Sequence, residues 1–249
     1  MFRAVISDVE LFKNVLSTVG EIVDEVIFKV SKDGLSLRAA DRAMVAAVDL
    51  KISSKAFDSL EVDEPLNIGI NLENLISVLK RASARNKVIL DLKDSQLEVR
   101  IENSSKRKFL LPLLEITQEE IPQIDQLEFQ AKAEVSGDIL ESGIEDADIV
   151  SDAVSLKASP SSFIMRAEGD VTQSELKLEK GSEGLIDLDS KEEVLARYPL
   201  DYLKKMIKAK KISDTVKIEF GKDFPVKLTF EVKDKCTLSF VLAPRVIEE

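Results

Sequence analysis

The stretch Asp24–Ala39, DEVIFKVSKDGLSLRA, recurs 128 residues later as Asp152–Ala167, DAVSLKASPSSFIMRA. The two segments align without a gap and share six of sixteen residues. In the first copy, two strand-like runs flank the residues KDG, which is typical of two strands joined by a turn. A repeat at one fixed offset predicts two copies of the same structural unit.

Two further segments align at the same offset. It lays Leu11, Phe12, Leu16 and Val19 over Ile139, Leu140, Ile144 and Ala147, and Leu72, Leu75, Leu79 and Val88 over Leu200, Leu203, Ile207 and Val216. Three segments in one register predict two domains of similar topology, 1–113 and 129–249. We expect the intervening residues 114–128, which lose clear periodicity and contain Pro122, to be the linker.

Each half is predicted to be rich in strands and to contain two helices, which is an α+β fold. Alternation or β-rich runs predict strands at Phe2–Ile6, Val26–Val30, Leu35–Ala39, Val45–Ile52, Val88–Leu92 and Leu97–Ile101. Helical spacing of apolar residues predicts helices from Val9 to Val19, over Leu72–Ala82, over Asp138–Ala147, and from Leu200 onward.

The composition argues against catalysis. The chain of 249 residues has no histidine, a single cysteine, Cys236, and none of the glycine-rich loops that bind nucleotide phosphates. It therefore lacks the commonest general base and the commonest metal ligand, and we expect no catalytic residue, no metal and no cofactor. Its apolar runs fall short of the roughly 20 residues needed to span a membrane, so a cytoplasmic protein is expected.

A basic run, YLKKMIKAKKISD over residues 202–214, contrasts with the net charge of −11. Helical spacing predicts a buried stripe of Leu200, Leu203 and Ile207 beside a cationic stripe of Lys204, Lys208 and Lys211. The equivalent helix of the first half is followed by Lys80, Arg81 and Arg85. One interpretation is a solvated face on each helix, but the recurrence favours a surface that attracts phosphate.

Five segments carry a resemblance to a known family: MFRAVISDVELFKNVL at the start, LSLRAADRAMVAAVDL with its Asp41, the NLENLISVLKR helix, the linker and the terminal FVLAPRVIEE. Together they resemble archaeal members of the proliferating cell nuclear antigen family, the sliding clamps of DNA replication. The resemblance covers residues 1–249 and implies the DNA-clamp fold. Three two-domain subunits would close head to tail into a ring, with sheets outside and four helices per subunit lining the hole.

The resemblance also implies which residues face DNA. Lys13, Lys80 and Lys208 match basic positions of the family's inner helices, and helical phase adds Arg81, Lys204, Lys205 and Lys211. The helix Asp138–Ala147 departs from the pattern, because Glu141, Glu145 and Asp146 stand where many members have basic residues. We therefore expect the duplex to lean toward the second helix of each half.

Two protein-binding surfaces follow from the same resemblance. The pocket that takes a partner's short peptide would be formed by Ala40, Met44, Val45, Ile121, Ile124, Pro225, Val241, Leu242, Ala243 and Pro244. Subunits would join through edge strands at Lys106–Leu111 and Ser174–Lys180, where Arg107 and Lys108 could oppose Glu175 and Glu179 while Leu110 and Leu178 are buried.

The function implied is that of a DNA sliding clamp without catalysis of its own, associated with the nucleoid. Its expected partners are double-stranded DNA, the clamp loader replication factor C, DNA polymerase, flap endonuclease and DNA ligase, in a homotrimer or a heterotrimer of related subunits. One alternative is an accessory or checkpoint-type clamp subunit that mainly scaffolds proteins. A more distant one is an enzyme that uses buried carboxylates on the same frame.

Overall fold

A computed structural model describes residues 1–117 and 124–245 of the chain. Its described residues divide into two compact units. Unit 1 comprises residues 1–42, 48–117 and 232–238, and unit 2 comprises residues 43–47, 124–231 and 239–245. The domain boundaries at residues 113 and 129 stay a prediction, because residues 118–123 of the linker lie outside the described part.

The first half of the chain contains nine strands and two helices within its described residues. The strands are β1 Phe2–Ile6, β2 Glu25–Ser31, β3 Gly34–Ala40, β4 Ala46–Ser53, β5 Ser59–Val62, β6 Leu66–Asn71, β7 Lys87–Lys93, β8 Gln96–Glu102 and β9 Lys106–Pro112. The helices are α1 Val9–Val19 and α2 Leu72–Leu79, with a 3₁₀ turn at Ser54–Ala56. Helix α2 is thus one turn shorter than the predicted Leu72–Ala82.

The described residues of the second half repeat this order. Its strands are β10 Ala131–Ser136, β11 Ala153–Ala158, β12 Ser162–Glu168, β13 Gln173–Glu179, β14 Leu185–Ser190, β15 Val194–Pro199, β16 Thr215–Phe220, β17 Val226–Val232 and β18 Cys236–Leu242. Its helices are α3 Gly137–Asp148 and α4 Leu200–Met206, and 3₁₀ turns occupy Ile124–Gln126 and Ile207–Lys211.

The strand order confirms that the two halves have one topology. In the first half, β5–β1–β7–β8–β9 form a five-stranded sheet, and β4–β3–β2–β6 are consecutive in a nine-stranded sheet. In the second half, β14–β10–β16–β17–β18 are consecutive in the nine-stranded sheet, and β13–β12–β11–β15 form a four-stranded sheet. Each strand of one half therefore has a counterpart at the equivalent sheet position of the other, and the halves differ in that β4 and β18 are neighbours whereas β9 and β13 are sheet edges.

The repeated stretch is an antiparallel hairpin in both halves, β2–β3 and β11–β12. The predicted turn places Gly34 at φ 143°, and a Cβ there would lie 1.9 Å from the Ile52 carbonyl oxygen. Only glycine fits this position without displacing the backbone. The matching turn of the second half is closed by the Ser159 N–H, which donates to the Ser162 carbonyl at 2.9 Å.

The helices bury one face each, as their apolar spacing predicts. Helix α1 buries Val9, Phe12, Val15, Leu16, Thr18 and Val19, and α2 buries Leu72, Leu75, Ile76, Val78 and Leu79. Helix α3 buries the small residues Gly137, Gly143 and Ala147 together with Leu140 and Ile144. Their opposite faces carry the charged residues that form the candidate sites.

Candidate nucleic-acid interface and docking surfaces

Exposed cations follow the second helix of the first half. Helix α2 begins after Asn71, whose side chain accepts a hydrogen bond from the Asn74 N–H at 3.0 Å. Lys80, Arg81 and Arg85 come directly after this helix and are exposed. None of the three has an ion-pair partner in residues 1–117 and 124–245. Cations at a helix C-terminus complement its dipole, and unpaired ones remain available to phosphates.

Lys13 of α1 is placed differently. Its Nζ lies 2.6 Å from Glu10 Oε1, one turn earlier on the same helix, and its side chain is 21% exposed. This ion pair balances the charge of Lys13 locally, although the sequence assigned it to the DNA-facing set. Its contact with DNA stays a prediction.

The basic run of the second half spans two kinds of helix. Helix α4 ends at Met206 and a 3₁₀ turn continues to Lys211, so residues three apart share a face from there on. Leu203, Met206 and Ala209 are buried, whereas Lys205, Lys208 and Lys211 are exposed. Lys205, Lys208 and Lys211 therefore form an exposed stripe, and Lys204, which the sequence places in a stripe with Lys208 and Lys211, is exposed beside it. The predicted stripe assumed an uninterrupted α-helix. Which of these lysines contact DNA stays a prediction.

An aromatic ring supports the first lysine of the exposed stripe. Lys205 Nζ lies 5.5 Å from the ring centroid of Tyr202, one turn earlier. This cation–π contact leaves the ammonium hydrogen atoms free to bind other groups. Lys211 has no ion-pair partner among the described residues.

The acidic helix α3 lies against the other side of the basic run. Lys204 Nζ is 2.7 Å from Asp148 Oδ2 at one end of α3. At the opposite end, Lys210 Nζ is 2.9 Å from Asp138 Oδ1 and also pairs with Glu141. These hydrogen bonds raise the pKa of both lysines. The acidic departure from the family pattern is thus partly neutralised within the same half.

Sequence reasoning missed the role of Lys210. Asp138 and Glu141 stand three residues apart, so they share a face of α3 and can both reach one cation. This spacing is visible in the sequence. Which lysine the two carboxylates bind, however, depends on the 3₁₀ turn after Met206. Glu145 and Asp146 of the same helix are exposed and have no ion-pair partner in the described residues.

The segment around Met44 lies beside the end of β18 in unit 2. The Ala243 N–H donates to the Val45 carbonyl at 2.9 Å, which holds residue 45 next to the predicted docking segment 241–244. Met44 has φ 55° and is 50% exposed. A flexible, exposed thioether side chain suits an adaptable binding surface.

The other predicted docking residues differ in accessibility. Ala40, Pro225, Val241, Ala243 and Pro244 are half-buried, whereas Ile124 and Leu242 are buried. Ile121 lies outside the described residues. A cavity of about 230 Å³ in unit 1, which the sequence did not reveal, is lined by Ala40 together with Arg38, Arg42 and Ile116. The docking assignment itself stays a prediction.

Strands β9 and β13 are two of the six strands that form the edges of the three sheets in the described residues. Strand β9 is the last strand of its five-stranded sheet, and β13 is the last strand of its four-stranded sheet. Their counterparts by the repeat are β18 and β4, which lie side by side, with the Ser53 N–H donating to the Lys235 carbonyl at 2.8 Å just beyond these strands. The edges of β9 and β13 therefore match a pairing that the chain already uses.

The side chains on these two edges carry opposite charge. Lys106, Lys108 and Leu110 are exposed on β9, whereas Glu175, Lys177 and Glu179 are exposed on β13, where Lys177 Nζ lies 2.9 Å from Glu179 Oε1. Because side chains alternate along a strand, Arg107 and Leu178 lie on the less exposed faces of their strands. Arg107 and Lys108 thus point to opposite faces of β9, so the two cannot oppose the acids in the same way.

The fold and these surfaces define a class, that of two-domain DNA-clamp proteins with sheets and paired helices repeated in each half. The chain belongs to the proliferating cell nuclear antigen family. Residues 1–120 match the family model for its N-terminal domain, and residues 123–245 match the one for its C-terminal domain. No helix in the described part of the chain has the length and apolar character needed to cross a membrane.

Named relatives and solved structures agree with this assignment. The chain is 36% identical over 248 residues to the DNA polymerase sliding clamp of Pyrococcus furiosus and to DNA polymerase sliding clamp 1 of Thermococcus kodakarensis, covering 99% of each chain. A crystal structure of PCNA from Thermococcus kodakaraensis superposes with a TM-score of 0.92 at 30% identity, over 98% of this chain and 100% of that one. These names do not favour the accessory-clamp alternative.

A second solved structure contains two different clamp subunits. The PCNA2–PCNA3 complex from Sulfolobus tokodaii superposes with a TM-score of 0.89 at 27% identity, over 98% of this chain and 99% of that one. In that structure, two subunits that both carry the PCNA name form a complex.

Proposed function

We propose that this protein is a DNA sliding clamp, a ring that encircles duplex DNA and holds DNA polymerase at its template. The observation that carries the proposal is the recurrence of exposed cations at the end of the second helix of each half, in a chain of net charge −11. An acidic protein that displays cations at repeat-related positions attracts phosphates there and repels polyanions elsewhere.

Sequence-independent contact is what such a surface provides. Lys80, Arg81, Lys205, Lys208 and Lys211 end in flexible side chains that bind phosphates without reading base edges. A ring held in this way can move along the duplex, because no contact fixes its register. The protein itself carries out no reaction in this account, and its effect on synthesis arises from keeping the polymerase near the primer end.

The free edges of β9 and β13 support a ring. A head-to-tail contact between different surfaces either closes into a ring or grows into a filament. Pairing β9 of one subunit with β13 of the next would repeat the β18–β4 pairing, and the lysines of β9 would meet the glutamates of β13. Three two-domain subunits then close the ring, in a homotrimer or with related subunits.

Partner enzymes would bind the segment after β18. Its half-buried residues Val241, Ala243 and Pro244 and the exposed Met44 offer apolar contacts, which suit a short peptide with apolar anchors. DNA polymerase is the first expected partner, and flap endonuclease and DNA ligase would use the same surface. Replication factor C would open and load the ring.

A primer-extension assay tests the proposed function. DNA polymerase is supplied with a singly primed circular template, the clamp loader and ATP, with and without this protein, and product length is measured. We expect the protein to lengthen the products made in one binding event. Products of unchanged length, from a sample whose solution mass equals three chains, would contradict the proposal.

A further inference from the structure

Helix α3 and the segment Leu200–Lys211 carry charges of opposite sign. Helix α3 contains five acidic side chains, Asp138, Glu141, Glu145, Asp146 and Asp148, and no basic one. The segment from Leu200 to Lys211 contains five lysines and the single acid Asp201. The two segments together therefore have a net charge of about −1, whereas residues 80–85 carry three cations that have no ion-pair partner in the part of the chain that the structure describes.

The geometry divides the five lysines into two groups. Lys204 and Lys210 stand six residues apart and pair with the two ends of α3, so the segments run antiparallel and are joined at both ends. Lys205 and Lys211 each directly follow one of these two lysines, Lys208 lies between them, and all three are exposed. We call Lys204 and Lys210 the clasp lysines, and the other three the outer lysines.

The contact at Lys210 is the tighter of the two clasps. Its side chain is 25% exposed, and its ammonium group bonds two carboxylates at once. The Lys210 Cβ lies 3.0 Å from the place where a Cβ on Gly137 would stand, and the Gly137 N–H donates to the Asp214 carbonyl at 2.8 Å. The start of α3 is therefore fastened to residues 210–214 by side chain and backbone together.

We propose that the clasp lysines position α3 and make no phosphate contact, so that within the basic run only the outer lysines bind DNA. The proposal rests on the proposed function and assigns roles within its DNA-facing surface. A lysine that bonds two carboxylates would have to give up both bonds to bind a phosphate, and the freed carboxylates would then repel the same DNA. Lys205 and Lys211, which have no ion-pair partner among the described residues, face neither penalty.

Adjacent lysines provide a matched test. K210A and K211A each remove one positive charge at neighbouring positions, so they change the long-range field almost equally. Binding of a fluorescent 30-base-pair duplex is measured by anisotropy as a function of salt concentration. Each lost phosphate contact lowers the slope of log K against log salt by about 0.9. We expect that loss for K211A and an unchanged slope for K210A.

Thermal unfolding gives the complementary result. We expect K210A to lower Tm by about 1–3 °C, because α3 loses a fastening, and K211A to leave Tm unchanged. We expect the same division for the second pair: K204A should lower Tm and leave the salt slope unchanged, whereas K205A should lower the slope and leave Tm unchanged. Equal slope losses for K210A and K211A would overturn the proposal, since Lys210 would then bind phosphate like its neighbour.

Releasing Lys210 separates a positioning role from a general structural one. In D138N/E141Q the ammonium group has no carboxylate partner and becomes available, so the slope should steepen by about 0.9 relative to the unmutated protein. Adding K210A to this variant should abolish the increase. A D138N/E141Q slope that is equally steep with and without Lys210 would contradict the proposal.

The salt dependence of the unmutated protein distinguishes failure of this inference from failure of the proposed function. If the unmutated protein binds duplex with no salt dependence, the proposed function fails, whatever the variants do. If the unmutated protein shows the salt dependence and K210A loses as much slope as K211A, the proposed function stands and only the division of lysines is refuted.

Discussion

The two halves of this chain repeat one fold but distribute their charges in opposite ways. In the first half, α1 and α2 carry few charges, and the three cations that follow α2 have no ion-pair partner among the described residues. In the second half, the segment Leu200–Lys211 carries five lysines, and two of them pair with the acidic α3. The edge strands differ likewise, since β9 exposes lysines, whereas β13 exposes two glutamates and one lysine. The two halves thus share a core pattern but differ in the charges on their surfaces.

Removing the charge difference between the edge strands β9 and β13 should have the largest effect, which is on the assembly of subunits. In K106E/K108E both edges are acidic, so the proposed contact between subunits becomes repulsive. We expect the solution mass, measured by light scattering, to fall from three chains to one. The control K191E/K233E reverses two exposed lysines away from β9 and should leave the mass unchanged.

Exchanging the charges of β9 and β13 should restore the attraction between them and, in part, the ring. Adding E175K and E179K to K106E/K108E makes β9 acidic and β13 basic. We expect trimers to reappear at higher protein concentration. Trimers that persist in K106E/K108E, or a K191E/K233E control that dissociates equally, would show that these edges do not join subunits.

The two halves also differ in the segments that follow β9 and β18, and the proposed docking surface lies in the second of these. The segment after β9 continues into the linker, whereas its counterpart after β18 includes Ala243, next to Met44. We expect M44E/A243E to reduce stimulation of DNA polymerase about tenfold, because two apolar contacts at the centre of the surface are lost. Leu242 is fully buried and is left unchanged, so that folding is preserved.

Two measurements make the docking result specific. The solution mass and the salt dependence of DNA binding should both match those of the unmutated protein. Undiminished polymerase stimulation by a folded, trimeric M44E/A243E would show that partners bind elsewhere.

Removing the cations of one half at a time sharpens the comparison of the two helix pairs. K80A/R81A/R85A removes three unpaired cations and should lower the salt slope of duplex binding by about 2.7, at about 0.9 for each contact. K205A/K211A should lower it by about 1.8. An unchanged slope in either variant would show that the cations removed there do not contact phosphate.

Helix capping should give the smallest effect. The Asp8 side chain accepts from the Leu11 N–H at 3.3 Å and pairs with Lys235 at 2.8 Å, whereas Ser136, which precedes α3, makes no such capping bond. We expect D8A to lower the free energy of unfolding by about 0.5–1 kcal/mol, since the site is partly exposed, and S136A to change it less.

This cap has a defined pH dependence. The hydrogen bond from Lys235, with the backbone bond from Leu11, lowers the pKa of Asp8. Its stabilisation is therefore complete above the ordinary aspartate pKa of about 3.9 and is lost as the pH falls through the lowered value. The difference in Tm between D8A and the unmutated protein should vanish in that acidic range, and a constant difference would exclude the ionised cap as its cause.

The sequence alone was sufficient to predict strands and helices and the repeat of one topology in both halves. Buried strands and helices impose periods of two and about 3.6 on apolar residues, so Phe2–Ile6 and the start of α2 at Leu72 were predicted correctly. The repeat offset implied one topology for both halves, which the strand order confirms.

The division of the lysines could not be predicted in the same way. It depends on the change from α-helix to 3₁₀ turn after Met206, which moves Lys210 beside α3 and away from the exposed stripe. No local pattern marks that change. The side on which Arg107 lies likewise depends on the register of β9 in its sheet, which a short charged run does not specify.

The central claim is that the protein stays on DNA by encircling it. The direct test is to load the labelled protein with the clamp loader onto a nicked circular plasmid, separate the complex by gel filtration at high salt, and repeat the separation after linearising the plasmid. We predict retention on the circle and loss from the linear form, because a ring slides off free ends. Equal retention on both forms, or equal loss from both, would contradict the account.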